Sequence, residues 1–208
     1  MSSDLVYLTP FKKTRCHFTV QGSRFIATIC PAATKALALE NLDTVSTEFH
    51  DASHHTYAYR IGSGLDLIER AYDDREPAGS AGVPMLQVLQ GKNVSDVIVV
   101  GTRYFGGTKL GIGGLTRAYR DCARQSLQKT VLIEKEPLDN FFLELLYEDL
   151  GTVTRLIGSL NGTVLTVDYS EVVAMHVSIP SRSSSVLLED FESACRGRGV
   201  IHRQKPSK

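Results

Sequence analysis

The chain has 208 residues, of which 42% are hydrophobic and 22% charged, and its formal net charge is zero. This composition is that of a soluble globular protein with one large or two small domains, and it contains no low-complexity tract. Its apolar runs are far shorter than the ~18 residues of a membrane span, and its start lacks the pattern of a secretory signal. We therefore expect a cytoplasmic protein with no membrane partner.

The four cysteines are scattered along the chain and form no C-x-x-C pair. This spacing predicts free thiols in a reducing compartment, with no disulfide-linked partner and no zinc site. The charge is also divided unevenly, since residues 1–135 carry sixteen Lys and Arg against thirteen Asp and Glu, whereas residues 136–208 carry seven against ten. The segment Glu134-Lys-Glu-Pro137 lies at the change of sign and is the predicted linker. We expect one domain over residues 1–135 and a second over 138–208.

Turn residues and hydrophobic spacing predict the elements of the first domain. In chain order these are a hairpin over residues 16–29, a helix over 34–49, a strand over 56–61, a polar loop over 66–82, a short helix over 84–90, a strand over 97–100 and a helix over 115–124. A glycine-rich turn connects the last strand to the last helix.

The second domain has a more regular pattern. It predicts a strand over residues 140–147, a helix over 150–160, strands over 163–169 and 172–179, a helix over 183–195 and a strand over 199–203. This βαββαβ order is the split arrangement of ferredoxin-like domains.

The glycine-rich turn is the most informative segment, because six of the seventeen glycines lie within residues 101–114. Such a turn before a helix exposes backbone N–H groups where the helix dipole favours negative charge. Basic side chains surround it, which predicts contact with an anion, most plausibly a phosphate. The segment matches neither the dinucleotide fingerprint nor the P-loop, and no cofactor is predicted. The candidate binding residues here are Arg103, Tyr104, Gly106, Gly107, Lys109, Gly111, Gly113, Gly114, Arg117 and Arg120.

Two of these features also have a purely structural interpretation. The row of Arg117, Arg120 and Arg124 could follow a phosphate backbone, or it could be the solvated face of an amphipathic helix. Likewise, Tyr104 and Phe105 could stack on bases or belong to a half-buried core.

Two histidines and an acidic loop form the other candidate group. His54 and His55 alternate along a predicted strand, so they can hardly ligate one metal together, although one could serve as an acid, a base or a hydrogen-bond donor. The alternative is that one ring is packed and the other solvated. Asp73, Asp74 and Glu76 could hold Mg²⁺ or accept hydrogen bonds from a ligand. The proline and glycines that follow them are also what an ordinary ordered turn requires.

Four segments together resemble the YigZ/IMPACT family. They are Gly22-Ser-Arg-Phe25, Ala52-Ser-His-His55, Asp73-Asp-Arg-Glu-Pro-Ala-Gly-Ser-Ala-Gly82 and Arg103-Tyr-Phe-Gly-Gly-Thr-Lys-Leu-Gly-Ile-Gly-Gly-Leu115. The match covers about residues 12–130, and the βαββαβ unit resembles the second domain of bacterial members. The resemblance implies an α+β protein, in which a domain like the second domain of ribosomal protein S5 precedes a ferredoxin-like domain similar to the C-terminal domains of elongation factor G. It adds Arg24 to the candidate binding residues.

One position departs from the family pattern. Arg75 stands where the family usually has glycine in its D-D-G-E-P run, so a turn that needs positive φ is expected to be altered there. Eukaryotic relatives restrain a starvation-sensing initiation-factor kinase by competing for its ribosome-bound activator, and they carry an additional N-terminal RWD domain. This chain begins at the shared domain and therefore resembles the bacterial form.

Two classes of function remain open at this stage. The resemblance implies a translation-associated regulatory or binding protein that contacts RNA phosphates or a ribosome-associated partner. The alternative is a small-molecule enzyme, a hydrolase or phosphotransferase, that uses the histidines and the acidic cluster; no catalytic residue is predicted. In either case we expect the motifs to meet around one concave face, formed by Arg24, His54, Asp73, Asp74, Glu76, Arg103 and Lys109.

Overall fold

The structure is a computed structural model that describes residues 6–204, apart from the side chain of Leu65. The first five residues of the first predicted domain and the last four of the second lie outside this range. The described chain divides into two compact units, an N-terminal unit of residues 7–135 and a C-terminal unit that contains residues 136–204. Both combine helices with antiparallel sheets, so the protein belongs to the α+β class.

The N-terminal unit is built from seven strands and three helices within the described residues. The strands are β1 (Tyr7–Pro10), β2 (Thr14–Val20), β3 (Ser23–Pro31), β4 (His54–Ile61), β5 (Ile68–Tyr72), β6 (Val97–Tyr104) and β7 (Leu132–Lys135), and the helices are α1 (Lys35–Glu48), α2 (Gly82–Gln90) and α3 (Gly111–Lys129). A short 3₁₀ turn (Gly64–Asp66) precedes β5.

The main sheet has the order β2-β3-β6-β4-β5, and β6 lies at its centre. Alternate residues of β6 are buried in two different cores, because successive side chains of a strand point to opposite faces. Ile98 and Val100 pack with residues of α1, whereas Val97 and Val99 pack with residues of α2 and α3. The candidate residues lie where β6 leaves this sheet toward α3.

The structure adds three short strands to the predicted elements, extends β6 to Tyr104, and moves the ends of α3 outward to Gly111 and Lys129. β5 falls inside the predicted polar loop, because this edge strand is largely exposed and lacks the alternation of a half-buried strand. β1 and β7 form a separate two-stranded sheet, and β7 includes the first two residues of the predicted linker, Glu134 and Lys135. α3 begins at Gly111 rather than at residue 115, so three of the glycines lie in its first turn. Glycine has a low helix propensity, which concealed this turn.

The C-terminal unit contains β8 (Leu138–Leu145), α4 (Leu150–Ser159), β9 (Thr163–Tyr169), β10 (Val173–Pro180), α5 (Ser184–Ala194) and β11 (Val200–Gln204). Its sheet has the order β11-β8-β10-β9. Phe141, Leu143 and Leu145 alternate along β8 and pack in one core with residues of α4 and α5. In neither unit does a described helix have the length and apolar character needed to cross a membrane.

Candidate functional site

A buried ion pair joins the acidic loop to the end of β6. Arg103 Nη1 donates to Glu76 Oε1 at 2.8 Å and to Oε2 at 3.0 Å. Both side chains are almost wholly buried, with 5% of Arg103 and 3% of Glu76 exposed. In the low-dielectric interior, an ion pair is stable only if further hydrogen bonds satisfy the remaining donors and acceptors of both side chains.

Three neighbours supply contacts to this pair. The Tyr119 hydroxyl of α3 donates to Glu76 Oε1 at 2.8 Å, and Ser23 Oγ accepts from Arg103 Nη2 at 3.4 Å. Burial and the Glu76 carboxylate raise the pKa of Tyr119 well above its ordinary value, so the hydroxyl remains a donor. His54 Nε2 lies 4.0 Å from Glu76 Oε1, and its Nδ1 donates to the backbone carbonyl of Asp74 at 2.8 Å.

The carboxylate of Asp73 holds the chain that leads into α2. It accepts from the backbone N–H groups of Gly79 at 2.8 Å, and of Ala81 and Gly82 at 2.9 Å. Asp74 binds the neighbouring strand, since its Oδ2 accepts from the backbone N–H of His55 at 2.6 Å. Both carboxylates therefore accept hydrogen bonds from the backbone of neighbouring segments.

His55 lies on the α1 side of the sheet, away from His54. Its Nε2 donates to the Phe49 carbonyl at 3.2 Å, and its Nδ1 lies 3.3 Å from Thr102 Oγ1. Burial lowers the pKa of His55, which favours the neutral ring. Among the described residues, no three His, Cys, Asp or Glu side chains are grouped so that they could hold a metal ion.

Arg75 occupies a left-handed backbone position, with a φ of 66°, and Asp74 before it has a φ of 41°. The turn is thus kept despite the side chain, which is 79% exposed and lies 3.7 Å from the Asp74 carboxylate. A residue other than glycine in this conformation is strained, because its Cβ approaches the backbone.

Replacement of Arg75 by glycine is therefore expected to stabilise the N-terminal unit by up to about 1 kcal/mol, since it relieves the left-handed backbone. The matched control is Arg75→Ala, which removes the same charge but keeps Cβ. Urea denaturation followed by circular dichroism measures both. If alanine stabilises as much as glycine, the effect comes from the charge and not from φ.

The glycine-rich loop touches the β2–β3 turn so closely that only glycine fits. A Cβ on Gly106 would lie 2.0 Å from the carbonyl carbon of Gly22. The Gly106 N–H donates to Ser23 Oγ at 3.1 Å, and the Phe105 N–H donates to Ser53 Oγ at 3.1 Å. Gly107, with a φ of 86°, lies beside open space, so there the requirement is the backbone conformation.

Tyr104, the last residue of β6, has side-chain contacts with β3 and with the loop before β4. The Arg24 guanidinium lies 4.1 Å above its ring, and its hydroxyl donates to Asp51 Oδ1 at 2.7 Å. This hydrogen bond raises the pKa of Tyr104 and lowers that of Asp51. Arg24 therefore stacks on an aromatic face instead of joining the ion pair of Glu76.

The start of α3 presents backbone donors without a side-chain cap. Leu110 occupies the capping position and accepts no N–H through its side chain, and the first turn contains no acidic residue. Gly111 opens the helix with a φ of 68°, in a conformation that glycine adopts without strain. Lys109 is exposed just before this helix start, and Arg117 and Arg120 are exposed further along α3.

A cavity of about 250 Å³ lies between the acidic loop and the start of α3. Among the residues that line it are Glu76, Arg103, Phe105, Lys109, Gly111 and Ile112. Four of these are predicted binding residues, and the His54 ring lies beside Glu76. Asp73 and Asp74 instead hold backbone, Arg24 stacks on Tyr104, and His55 lies across the sheet.

Ser23 and Tyr119 are polar partners of the ion pair that are absent from the predicted set. Ser23 accepts from both Arg103 and Gly106, and it lies inside the Gly22-Ser-Arg-Phe25 motif, which could have identified it. Tyr119 lies on the buried side of α3. No pattern in the sequence distinguishes its hydroxyl from that of an ordinary core tyrosine.

Comparison with known proteins gives a consistent match. The Impact N-terminal domain family matches residues 21–127. The chain is 34% identical to the IMPACT family member YigZ of Escherichia coli (strain K12) over 83% of its own length and 86% of that protein. It is 31% identical to Protein IMPACT of Bos taurus over 51% of its own length and 31% of that protein.

A solved structure described as a crystal structure of a hypothetical protein has the same fold over nearly the whole chain. It superposes with a TM-score of 0.71 at 29% identity, covering 97% of this chain and 98% of that one. The matched family domain contains the buried ion pair, the acidic loop and most of α3. The chain therefore belongs to the IMPACT family.

Proposed function

We propose that this protein is a translation-associated binding protein that contacts RNA phosphates through its glycine-rich, basic face. We define this face as the exposed loop at residues 105–109 with the start of α3 and the side chains of Arg117 and Arg120. The single observation that carries the proposal is the contrast between the acidic groups near this face and the basic groups on it. The nearby carboxylates are engaged within the protein, whereas the basic side chains and the helix N–H groups are exposed.

The same contrast argues against the small-molecule enzyme. Asp73 accepts three backbone N–H groups, and Asp74 accepts the N–H of His55. Glu76 already binds Arg103 and Tyr119. A general base acts through a carboxylate oxygen directed at the substrate, and a metal ligand through one directed at the metal, whereas the contacts seen here are made within the protein.

The proposed fold assignments agree with this role. The strand and helix order of the C-terminal unit is βαββαβ, which supports a ferredoxin-like domain similar to those of elongation factor G. For the N-terminal unit we propose the fold of the second domain of ribosomal protein S5. Fold likeness alone is a weak guide to function, so the site carries the argument. All four cysteines are buried free thiols, which suits the cytoplasm that we propose as the location.

RNA contact should depend steeply on salt if phosphates are neutralised, with a slope of about 0.7 per phosphate on a single strand. Replacing Arg117 and Arg120 together with alanine is expected to lower that slope by roughly 1.4 and to weaken all RNA sequences alike. Fluorescence anisotropy with two unrelated short RNAs, at about 50 and 200 mM salt, measures this. The matched control is Lys92→Ala/Lys129→Ala, which removes the same charge from exposed positions elsewhere in the unit.

The same titration against ribosomes separates the two classes of partner. If the protein binds ribosomes through Arg117 and Arg120 but does not bind free RNA, its contact is a ribosome-associated protein and not RNA. If the lysine control loses as much RNA affinity, the effect comes from net charge alone, which would contradict the proposed face. Binding of neither RNA nor ribosomes would overturn the proposal in favour of the small-molecule enzyme.

A further inference from the structure

Phe105 is the only aromatic residue of the loop at residues 105–109, and it belongs to the glycine-rich, basic face. Its side chain is 50% exposed. The backbone that carries it is held in place, because the Phe105 N–H donates to Ser53 Oγ and the Gly106 N–H donates to Ser23 Oγ, both at 3.1 Å. The protein therefore presents an aromatic ring to solvent on a fixed section of its backbone.

This ring is the outermost member of a series of packed planar groups. The Arg103 Cζ atom lies 5.4 Å from the centroid of the Phe105 ring and also 5.4 Å from that of the Phe25 ring. The Phe25 ring stacks in turn with Phe18, at a centroid distance of 5.8 Å. Phe25 is 1% exposed and Arg103 is 4% exposed. Of these three groups in contact, only Phe105 is open to a further planar group from outside.

The cavity beside Phe105 has mostly apolar walls. Five of the nine residues that line it are apolar, namely Pro77, Phe105, Leu110, Ile112 and Leu115. Its volume of about 250 Å³ is smaller than the roughly 300–1,000 Å³ of pockets that take drug-sized ligands. The cavity therefore suits one flat ring system whose faces contact apolar side chains.

The charged groups around this apolar surface leave it basic. Lys109 lines the cavity and is exposed. Arg117 extends back toward the first turn of α3, since its Nη1 lies 3.7 Å from the position that a Cβ on Gly113 would take. Glu76 is the only acidic residue among the described residues that line the cavity, and its charge is compensated by Arg103. An exposed aromatic surface with basic surroundings fits a flat base that is attached to a polyanion.

We infer that the glycine-rich, basic face binds unpaired RNA, with one base stacked on Phe105 in the cavity and neighbouring phosphates in contact with Lys109 and Arg117. The inference rests on the proposed function and narrows it from RNA in general to single strands. Inside a duplex both faces of a base are covered by its neighbours, so the base cannot stack on Phe105. Because every base has a π-face, the contact distinguishes unpaired from paired RNA with little dependence on sequence.

The test compares RNAs that carry the same number of phosphates and differ in their bases. The probes are single strands of about ten nucleotides, within the usual site size of single-strand binders: an adenosine oligomer, the same backbone without bases, and a GC-rich duplex of that length. Each competes with one labelled adenosine oligomer for the full chain. The wild-type protein is expected to bind the adenosine oligomer at least about fivefold more tightly than the abasic one, which corresponds to the weakest measured base–aromatic stacking.

Variants at one exposed position identify the ring responsible. Phe105→Leu keeps an apolar side chain without the ring, so it should weaken the adenosine oligomer at least about fivefold and leave the abasic strand and the duplex unchanged. Phe105→Trp should retain the preference for bases. The matched control is Phe11→Leu, the same change at a side chain that is 64% exposed outside this face, and it should alter no affinity. Thermal melting verifies that the variants are folded during the titration.

The salt dependence separates stacking from phosphate contact. Phe105→Leu should leave the salt slope of the adenosine oligomer unchanged, because it removes no charge. Replacing Arg117 and Arg120 together with alanine should lower that slope and preserve the preference for the adenosine over the abasic strand.

Failure of this inference differs from failure of the proposed function. If the wild-type protein binds the adenosine and abasic strands equally, stacking is overturned, while salt-dependent contact through Arg117 and Arg120 stands. If a folded Phe105→Leu variant keeps the preference for bases, or weakens the duplex as much as the single strand, the assignment to Phe105 is overturned. If no RNA binds, the inference and the proposed RNA contact are both overturned.

Discussion

Replacement of Glu76 by glutamine is expected to destabilise the N-terminal unit by about 3–5 kcal/mol, because it leaves the buried charge of Arg103 without its counterion. For a unit of this size the loss corresponds to a fall of roughly 10–20 °C in melting temperature. Hydrogen exchange of the β6 amides measures the N-terminal unit separately, since β6 is the central strand of its sheet.

Two further variants test the reason for this loss. Glu40→Gln makes the same change at an exposed position on α1 and is expected to alter stability by less than about 0.5 kcal/mol. The double variant Glu76→Leu/Arg103→Met removes both charges, and it should recover much of the stability that Glu76→Gln loses. A double variant as unstable as the single one would show that packing, and not the unpaired charge, sets the cost.

Replacement of Asp73 by alanine is expected to cost about 2–4 kcal/mol, because it removes the acceptor of three backbone N–H groups before α2. Ala81 and Gly82 are buried, so water cannot replace the carboxylate at their N–H groups. Hydrogen exchange of residues 79–82 should accelerate more than that of β6, which distinguishes local loosening from global unfolding.

Asp73→Asn and Asp43→Ala serve as the graded controls. Asparagine keeps one side-chain oxygen, which can still accept from Ala81 and Gly82, so about half of the loss is expected. Asp43 is exposed on α1, and its replacement should leave stability within about 0.5 kcal/mol. Equal stability of Asp73→Ala and Asp43→Ala would contradict a structural role for the Asp73 carboxylate.

If these losses are observed, the acidic loop is chiefly a structural element that positions the candidate site. Asp73 fixes the entry into α2, and Glu76 fixes Arg103 in the wall of the cavity. Variants at Asp73 or Glu76 would then impair ligand binding through folding. For this reason the test of RNA binding relies on the exposed positions Arg117 and Arg120.

The sequence by itself determined the elements whose pattern is local. The strand predicted over residues 163–169 is β9, and the other elements of the C-terminal unit end within two residues of their predicted bounds. Hydrophobic periodicity carries this information because a helix or a strand buries one face at a fixed spacing. β5 escaped prediction because its stability comes from pairing with β4 at the sheet edge, not from its own apolar pattern.

The sequence also marked Glu76, Arg103 and Lys109 as candidate residues, and it found them through motif chemistry alone. Only the tertiary structure decided that Glu76 and Arg103 form a buried pair, that Tyr119 completes it, and that Asp73 faces backbone. Arg103 and Tyr119 lie 27 and 43 positions along the chain from Glu76. The formation of these contacts depends on the register of β4 with β5 and with β6 and on the packing of α3, and no local pattern in the chain encodes either.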